Sequence, residues 1–192
     1  YEARPLPERC LMSFTGAAGP VMNNGLYNNT YQIVQSPESV MILTEMIHDV
    51  RVIPIVKSAA EAKHGPKEIP KWGGDSVGWY EGNTLVVKTV NSHPRQRSFI
   101  SPTGTVTERY TRWSNGEIFY EFKVDDPTLY KTAWGGEMSL KTSQEPLYEY
   151  ACHEGNYSFA GIMGGARELD RQGRPYPPEK PTFAGVDVAD GE

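Results

Sequence analysis

Apolar residues in the first half of the chain occur in short runs that polar residues separate or interrupt. The runs YQIVQS, SVMILTEMIH and VRVIPIV begin at Tyr31, Ser39 and Val50. They are rich in β-branched and long apolar residues, and their lengths fit strands better than helices. Similar runs follow in the second half, including KTAWGGEMSLKT and LYEYACH. The pattern predicts a chain of roughly seven to nine β-strands.

Turn dipeptides separate the runs in the middle of the chain. Gly82-Asn83 interrupts VGWYEGNTLVVKTV, and Asn115-Gly116 interrupts TVTERYTRWSNGEIFYEFKV. Asn-Gly is the dipeptide that best tolerates the positive φ angles of a two-residue hairpin loop. Strands joined in this way form an antiparallel meander, which must close or stack to hide its edges. We therefore expect an all-β fold whose meander closes into a calycin-like up-and-down barrel, with a two-sheet β-sandwich as the alternative.

The two ends of the chain differ from this β-rich centre. Residues 1–30 are rich in Pro, Gly and Asn, which predicts an irregular N-terminal arm. Residues 31–156 make up the predicted β-barrel domain, and residues 157–171 predict a short helix. Residues 172–192 are Pro-rich and acidic, which predicts an extended tail. A chain of 192 residues fits one core with such extensions.

The charge of the chain excludes several classes of partner. The formal charge is -5, the pI is about 5.5, and the Lys and Arg residues are scattered. An acidic surface without a basic cluster does not serve phosphate binding, so we expect no nucleic-acid partner. No run approaches the roughly 20 apolar residues needed to cross a bilayer, so we expect no transmembrane segment.

The loop at Asn115-Gly116 assigns the side chains of its hairpin to two faces. With regular pairing, Arg109 lies opposite Phe122, on the face that also carries Tyr120. We expect this face to point inward, because its residues in the second strand are apolar or aromatic. A guanidinium group there needs a carboxylate partner or a wet cavity, since burying it alone is prohibitive.

The run MILTEMIHDVRVIPI, residues 41–55, contains four ionisable residues in an otherwise apolar stretch. Asp49 suits a turn between two strands. Alternation along a strand draws at least one of the ionisable groups toward the core. Glu45 is therefore expected either to face Arg109 in the interior or to pair with Arg51 at the rim.

No strong catalytic motif is present, so the candidate site is a looser set of residues. General acid–base chemistry needs positioned carboxylate and imidazole groups and a cation that stabilises an anion, without a metal or cofactor. The histidines lack a fixed ligand spacing, so we expect no metal site. Each candidate also has an ordinary structural explanation at a rim, a turn or a strand end. The candidate catalytic residues are Glu45, His48, Arg109 and His153, and the candidate ligand-binding residues are Arg51, Trp79, Tyr120 and Glu154.

Two cysteines, Cys10 and Cys152, lie near opposite ends of the predicted core. A disulfide between them would close a loop of about 140 residues, which chain-entropy estimates value at roughly 4 to 5 kcal/mol. The alternative is two unrelated buried thiols. We favour the disulfide and an oxidising compartment, because the chain begins at Tyr1 instead of Met, which suggests a removed leader.

Several blocks of sequence together resemble a large group of uncharacterised secreted bacterial proteins. The blocks are ERCL, YQIVQSPESVMILTEMIHDVRVIPI, GDSVGWYEGNTLVVKT, TERYTR, VDDPTLYKTAW and YEYACHEGN, in this order from about Cys10 to Arg167. Many members have RWEGDT where this chain has WYEGNT, so Tyr80 and Asn83 replace a Trp and an Asp. The resemblance implies a periplasmic or secreted protein and supports the cysteine pairing. It implies no activity.

Two functional hypotheses follow. The first is an exported β-barrel that binds a small polar or aromatic molecule and, if it is an enzyme, acts as a metal-independent hydrolase, lyase or isomerase. The second is a non-catalytic structural or accessory subunit of a periplasmic or cell-surface assembly, held through its arm and tail or self-associating through the tail. Neither hypothesis requires a cofactor.

Overall fold

The computed structural model describes residues 6–7, 9–13, 19–23, 27–96, 99–151 and 153–175. Within these ranges the chain forms eight strands followed by one α-helix. No helix there is both long and apolar enough to span a bilayer. The elements are β1 (Tyr31–Gln35), β2 (Ser39–Thr44), β3 (Val50–Pro54), β4 (Asp75–Glu81), β5 (Thr84–Val90), β6 (Thr105–Ser114), β7 (Glu117–Asp125), β8 (Trp134–Lys141) and α1 (Tyr157–Arg171).

The strands form two antiparallel sheets, each a meander in chain order. The first three strands make a three-stranded sheet, and β4 to β8 make a five-stranded sheet. The mostly-β, antiparallel architecture is the one that the sequence predicts. The described strands do not close into a barrel, because β3 meets β4 only at an isolated bridge between Ile55 and Gly78 and β8 has no second neighbour. Two stacked sheets, the alternative expectation, fit this topology.

The larger of two apolar clusters in the described residues lies between the sheets, and the smaller one contains Met46 and Ile47. Burial alternates along β2, where every second side chain is buried, as expected for a strand with one face on a core. The N-terminal arm contributes to the same core, since Val21 and Met22 are fully buried in it. In its described residues the arm contains no helix or strand, and the part around Val21 and Met22 lies inside the protein. The other buried core residues are Val40, Ile42, Ile53, Leu85, Val87, Ile100, Val106, Tyr110, Tyr120 and Val124.

The apolar run at residues 41–55 is interrupted by a tight turn. β2 ends at Thr44, and a single 3-10 turn follows at Met46–His48. Ile47 and His48 have φ angles of 60° and 45°, which lie in the left-handed region that β-branched residues rarely adopt. The predicted strand alternation therefore ends before Glu45, and the next strand begins after Asp49.

A β-bulge changes the register of the β6–β7 hairpin. Ser114 lies opposite Glu117, as the two-residue loop requires, but Arg112 lies opposite Ile118. Trp113 is thus an extra residue on β6. A one-residue shift turns every side chain of a strand to the other face of the sheet.

The bulge makes the predicted faces of β6 wrong. Arg109 lies opposite Glu121 instead of Phe122, and it points away from the core. Its neighbour Glu108 points inward instead, and its exposed fraction is 0%. The faces of β7 are as predicted, with Tyr120 fully buried.

The C-terminal part departs from the prediction in one place. The run LYEYACH forms no strand in its described residues 147–151 and 153. The helix α1 occupies the segment where the sequence predicts a short helix, and it buries no side chain. Cys152 and residues 176–192 lie outside the described residues, so the disulfide with Cys10 and the extended tail stay predictions.

Candidate functional site

An ion pair links the two sheets inside the protein. Arg51 of β3 donates to Glu108 of β6 through both terminal nitrogens, from Nη1 to Oε2 at 2.6 Å and from Nη2 to Oε1 at 3.0 Å. The two side chains are 9% and 0% exposed. A bidentate contact between guanidinium and carboxylate is the strong form of this interaction.

Two tyrosines complete the hydrogen bonding of the carboxylate. Tyr110 and Tyr120 each donate their hydroxyl to Glu108 Oε1 at 2.8 Å. The Tyr110 hydroxyl accepts from Arg51 Nη2 at 2.7 Å, and that of Tyr120 accepts from the Met22 N–H at 3.0 Å. These four side chains of Arg51, Glu108, Tyr110 and Tyr120 form what we call the interior cluster.

The surroundings fix the protonation states of three members of the interior cluster, namely Arg51, Tyr110 and Tyr120. Burial raises the pKa of Tyr110 and of Tyr120 well above the usual value, so both hydroxyls remain donors. Burial acts to lower the pKa of Arg51, but the Glu108 carboxylate outweighs this effect and the net pKa is raised. The Arg51 guanidinium therefore stays charged.

The interior cluster borders two cavities. The larger one, which we call the inter-sheet cleft, has a volume of about 1160 Å³ and lies between β1–β2 and the hairpin ends of the five-stranded sheet. Tyr110 lines it. Its apolar lining residues are Tyr31, Ile33, Val40, Ile42, Leu85, Ile118 and Leu140, and its polar ones include Arg112, Asn115, Glu117, Lys141 and Glu145.

Tyrosine hydroxyls are among the polar groups that line the inter-sheet cleft. The Tyr31 hydroxyl donates to the Asn23 carbonyl at 3.3 Å, and burial raises the pKa of Tyr31 to about 12. Tyr80 accepts a hydrogen bond from Gln35 Nε2 at 2.6 Å. Tyrosine hydroxyls beside aliphatic side chains suit an aromatic or amphipathic molecule.

The smaller cavity, which we call the β3–β4 seam, has a volume of about 540 Å³. It lies between the segment from Asp49 to Val52 and the segment from Lys71 to Val77. Arg51 lines it, so this residue belongs both to the interior cluster and to a cavity wall. In contrast to the cleft, the seam is rich in charge, with Asp49, Arg51, Glu61, Lys63, Lys71 and Asp75 in its lining.

Two carboxyl groups in the seam have pKa values shifted in opposite directions. Burial raises the pKa of Asp49 to about 6, although the Ser13 N–H at 3.2 Å and His48 act against it. Burial also acts to raise the pKa of Asp75, but hydrogen bonds from Lys71 Nζ and the Gly65 N–H outweigh it, so the net pKa is lowered. Such a pair can in principle donate and accept protons at one cavity.

The structure does not join Glu45 to either of its expected partners. Glu45 is 7% exposed and accepts a hydrogen bond from Asn28 Nδ2. Arg109 donates to Glu81 Oε2 at 2.9 Å on the outer face of the five-stranded sheet. Arg51 pairs with Glu108. Arg51 and Glu108 pair in the interior instead, and the bulge that reverses the faces of β6 is the reason that Glu108, and not Arg109, points inward.

The remaining sequence-predicted residues are dispersed. His48 and His153 are exposed. The His153 ring packs against the Phe159 ring, with the two ring centroids 5.3 Å apart. Among the described side chains, no hydrogen bond or ion pair joins any two of the four candidate catalytic residues. Of the candidate ligand-binding residues, Arg51 lines the seam, Tyr120 is inside the interior cluster, Trp79 donates to Glu81, and Glu154 is exposed.

Glu108 and Tyr110 are absent from the sequence-predicted site, although the sequence contains a signal for both. Along β6 the apolar residues Val106 and Tyr110 alternate with the polar residues Thr107 and Arg109. This alternation favours the face of Glu108 as the inward face. The expectation of a regular hairpin loop led to the opposite assignment.

Comparison with known proteins gives no independent indication of function. No protein-family model, curated protein or solved structure matches the chain. In the part of the chain that the structure describes, no group of three or more His, Cys, Asp or Glu side chains is arranged to hold a metal ion. The assignment of a function therefore depends on the two cavities and the cluster that borders them.

Proposed function

We propose that this protein is an exported β-rich binding protein that holds a small molecule, with an aromatic or aliphatic body and polar substituents, in the inter-sheet cleft. The observation that carries the proposal is the combination of volume and lining. A cleft of about 1160 Å³ extends down to core residues such as Val40 and Ile42. The volume is slightly above the roughly 300–1,000 Å³ of typical ligand sites, and the lining has their character, with apolar walls and polar groups among them.

The rim of the cleft supports a ligand with polar ends. Arg112 and Lys141 supply positive charge there, and Glu117 and Glu145 supply negative charge. Opposite charges at the rim favour polar substituents of either sign, whereas the apolar walls favour the body of the ligand. We place binding ahead of acid–base catalysis, because the four candidate catalytic side chains lie apart.

The accessory-subunit hypothesis remains the second candidate, and exposed apolar side chains favour it. Tyr157 and Phe159 of α1 are 94% and 42% exposed. A subunit of this kind would bury them against a partner. Size-exclusion chromatography of the chain with and without residues 172–192 tests the role assigned to the tail, and an oligomeric state that the deletion leaves unchanged would count against that role.

Adjacent residues of β1 provide a test of the cleft with a matched control. Ile33 lines the cleft, whereas Val34 lies on the opposite face and is 45% exposed. The probe is 1-anilinonaphthalene-8-sulfonate, followed by fluorescence titration and by a panel of aromatic and aliphatic acids in competition. We expect saturable binding that Ile33→Trp weakens by about tenfold or more and that Val34→Trp changes by less than about twofold. Equal effects of the two substitutions, or no saturable binding of any panel member, would contradict the proposal.

The exported location is a separate part of the proposal. It is supported by the resemblance to secreted bacterial proteins and by the spacing of Cys10 and Cys152. Peptide mapping without reduction measures whether these two residues are linked in protein isolated from its native host. Two free thiols in that material would remove this support.

A further inference from the structure

The hydrogen bonds of β3 show which of its backbone groups face the seam. The Asp49 carbonyl and the Ile55 N–H both bond to the β2 side at 2.8 Å. Backbone groups alternate in direction along an antiparallel strand, so those of Arg51 also face β2. The N–H and C=O groups of Val50 and Val52 consequently point toward the seam.

The β3 and β4 strands touch at one end of the seam and separate at the other. The Val56 N–H donates to the Gly78 carbonyl at 2.9 Å, beside the bridge between Ile55 and Gly78. A Cβ at Gly78 would lie 3.0 Å from Ile55 Cδ1, so glycine permits this close approach. Toward Val50 the strands diverge around the seam cavity. Within the described residues, no hydrogen bond uses the seam-facing backbone groups of Val50 and Val52.

The same edge has exposed apolar side chains. Val50 and Val52 are 54% and 59% exposed on the outer face of the three-stranded sheet. Natural edge strands are usually protected by lysines, bulges or prolines. On β3, Pro54 at the far end has this effect, and its missing N–H lies on the seam side as expected for an edge strand. Arg51 points inward, and Met12 and Gly19 of the arm line the seam, but Val50 and Val52 are not protecting residues of these kinds. The remaining edge is a template for another strand.

We propose that an extended peptide segment from another protein adds to the three-stranded sheet along β3, inside the seam. Its backbone pairs with Val50 and Val52, and its alternate β-branched or apolar side chains pack beside those valines. A single strand needs about 4.8 Å beside its neighbour, whereas the five-stranded sheet and the loop containing Glu61 and Lys63 obstruct a whole second sheet. This site is independent of the inter-sheet cleft.

Charge in the seam favours a basic residue in the peptide. Lys71 is paired with Asp75 at 2.5 Å, and Arg51 is paired with Glu108. Among the described residues this leaves Asp49, Glu61 and Lys63 of the seam without an ion-pair partner, an excess of one negative charge when all are ionised. The proposed ligand class is therefore an extended segment of alternating β-branched residues with a Lys or Arg near one end.

Substitution of Val52 tests the proposal without removing a bond to β2. The probe is a fluorescein-labelled peptide KVTVTV, measured by fluorescence anisotropy, together with a random heptapeptide display library. Val52→Pro removes the seam-facing N–H, and Val52→Thr is the matched control that keeps it. We expect Val52→Pro to weaken peptide binding by about tenfold or more and Val52→Thr to change it by less than about threefold. We also expect slower hydrogen exchange at the Val50 and Val52 amides when peptide is bound.

Several results would overturn the proposal. One is equal binding by the wild type and Val52→Pro, and another is the absence of any library peptide enriched on the wild type over Val52→Pro. If Val52→Pro does not fold, peptides N-methylated at alternate residues replace it, and equal binding of both methylated forms and the parent peptide refutes strand addition. Self-association that Val52→Pro abolishes in the absence of peptide would identify a second copy of this chain as the occupant instead.

Discussion

Glu108 and Arg109 are adjacent in β6, yet their ion pairs lie in opposite environments. Glu108 pairs with Arg51 between the sheets, where neither side chain is more than 9% exposed. Arg109 pairs with Glu81 on the outer face, where the side chains are 40% and 49% exposed. Exposed pairs typically contribute about 0–1 kcal/mol, whereas breaking a buried pair costs about 3–5 kcal/mol. The face of the strand, and not the residue type, decides the energetic importance of each pair.

The interior pair also differs from the outer pair in its location between the two sheets. It connects the two sheets as part of the interior cluster, whose members Arg51 and Tyr110 each form part of a cavity wall. A buried ionic group contributes little net stability compared with apolar packing, but it penalises any arrangement that leaves one partner alone. The cluster therefore favours one relative placement of the two sheets. That placement also sets the shape of both cavities.

The largest expected effect comes from removing one partner of the interior pair. Glu108→Ala leaves Arg51 charged and buried and leaves two tyrosine hydroxyls without their acceptor, so we expect a loss of about 3–5 kcal/mol in the free energy of unfolding. Glu81→Ala is the matched control on the outer face, and we expect a much smaller loss, because solvent screens the exposed pair. Urea denaturation measures both. Similar costs for the two variants would refute the contrast between the faces.

Asp49 provides an intermediate case, because it is a partly buried carboxyl group without an ion-pair partner among the described residues. Its pKa is about 6 in the folded state against an ordinary value of 3.8. The folded protein therefore binds the proton more tightly, and the stability associated with this group is present below about pH 4 and is lost as the pH rises through about 6. The shift corresponds to at most about 3 kcal/mol.

The variant Asp49→Asn measures this contribution, since the amide keeps the acceptor for the Ser13 N–H and does not titrate. We expect the variant to gain stability relative to the wild type between pH 4 and pH 7, by up to about 3 kcal/mol. Urea denaturation at both pH values gives the difference, and other titrating groups cancel in the comparison. A difference that is independent of pH would show that the Asp49 pKa is not raised.

The smallest expected effect concerns the bulge itself. Trp113 is 73% exposed, and its deletion would leave Arg112 and Ser114 as successive residues opposite Ile118 and Glu117. The hairpin would become regular with Glu108 still facing inward, so we expect a change in unfolding free energy within about 1 kcal/mol. In this background Glu108→Ala should keep its large cost. A small cost there, together with a large cost for Arg109→Ala, would mean that deletion reverses the strand.

The strands were predictable where local chemistry decides them. Runs of β-branched residues and the loop at Asn115-Gly116 placed the β6–β7 hairpin correctly, and alternation placed Tyr120 of β7 inward. The site was less predictable. The interior pairing of Arg51 with Glu108 depends on which face of β6 is buried, and one inserted residue reverses this assignment without altering the turn signal.

The sequence by itself determined the antiparallel β architecture, because turn dipeptides and apolar periodicity act over a few neighbouring residues. Only the tertiary structure decided the partner of each charge and the existence of the two cavities. Arg51 and Glu108 are 57 positions apart, and contacts over such a separation depend on how the sheets stack, which no local pattern encodes. A one-residue bulge costs little locally but reverses a whole strand face, and the partner that the inward Glu108 then meets is decided only when the sheets pack together.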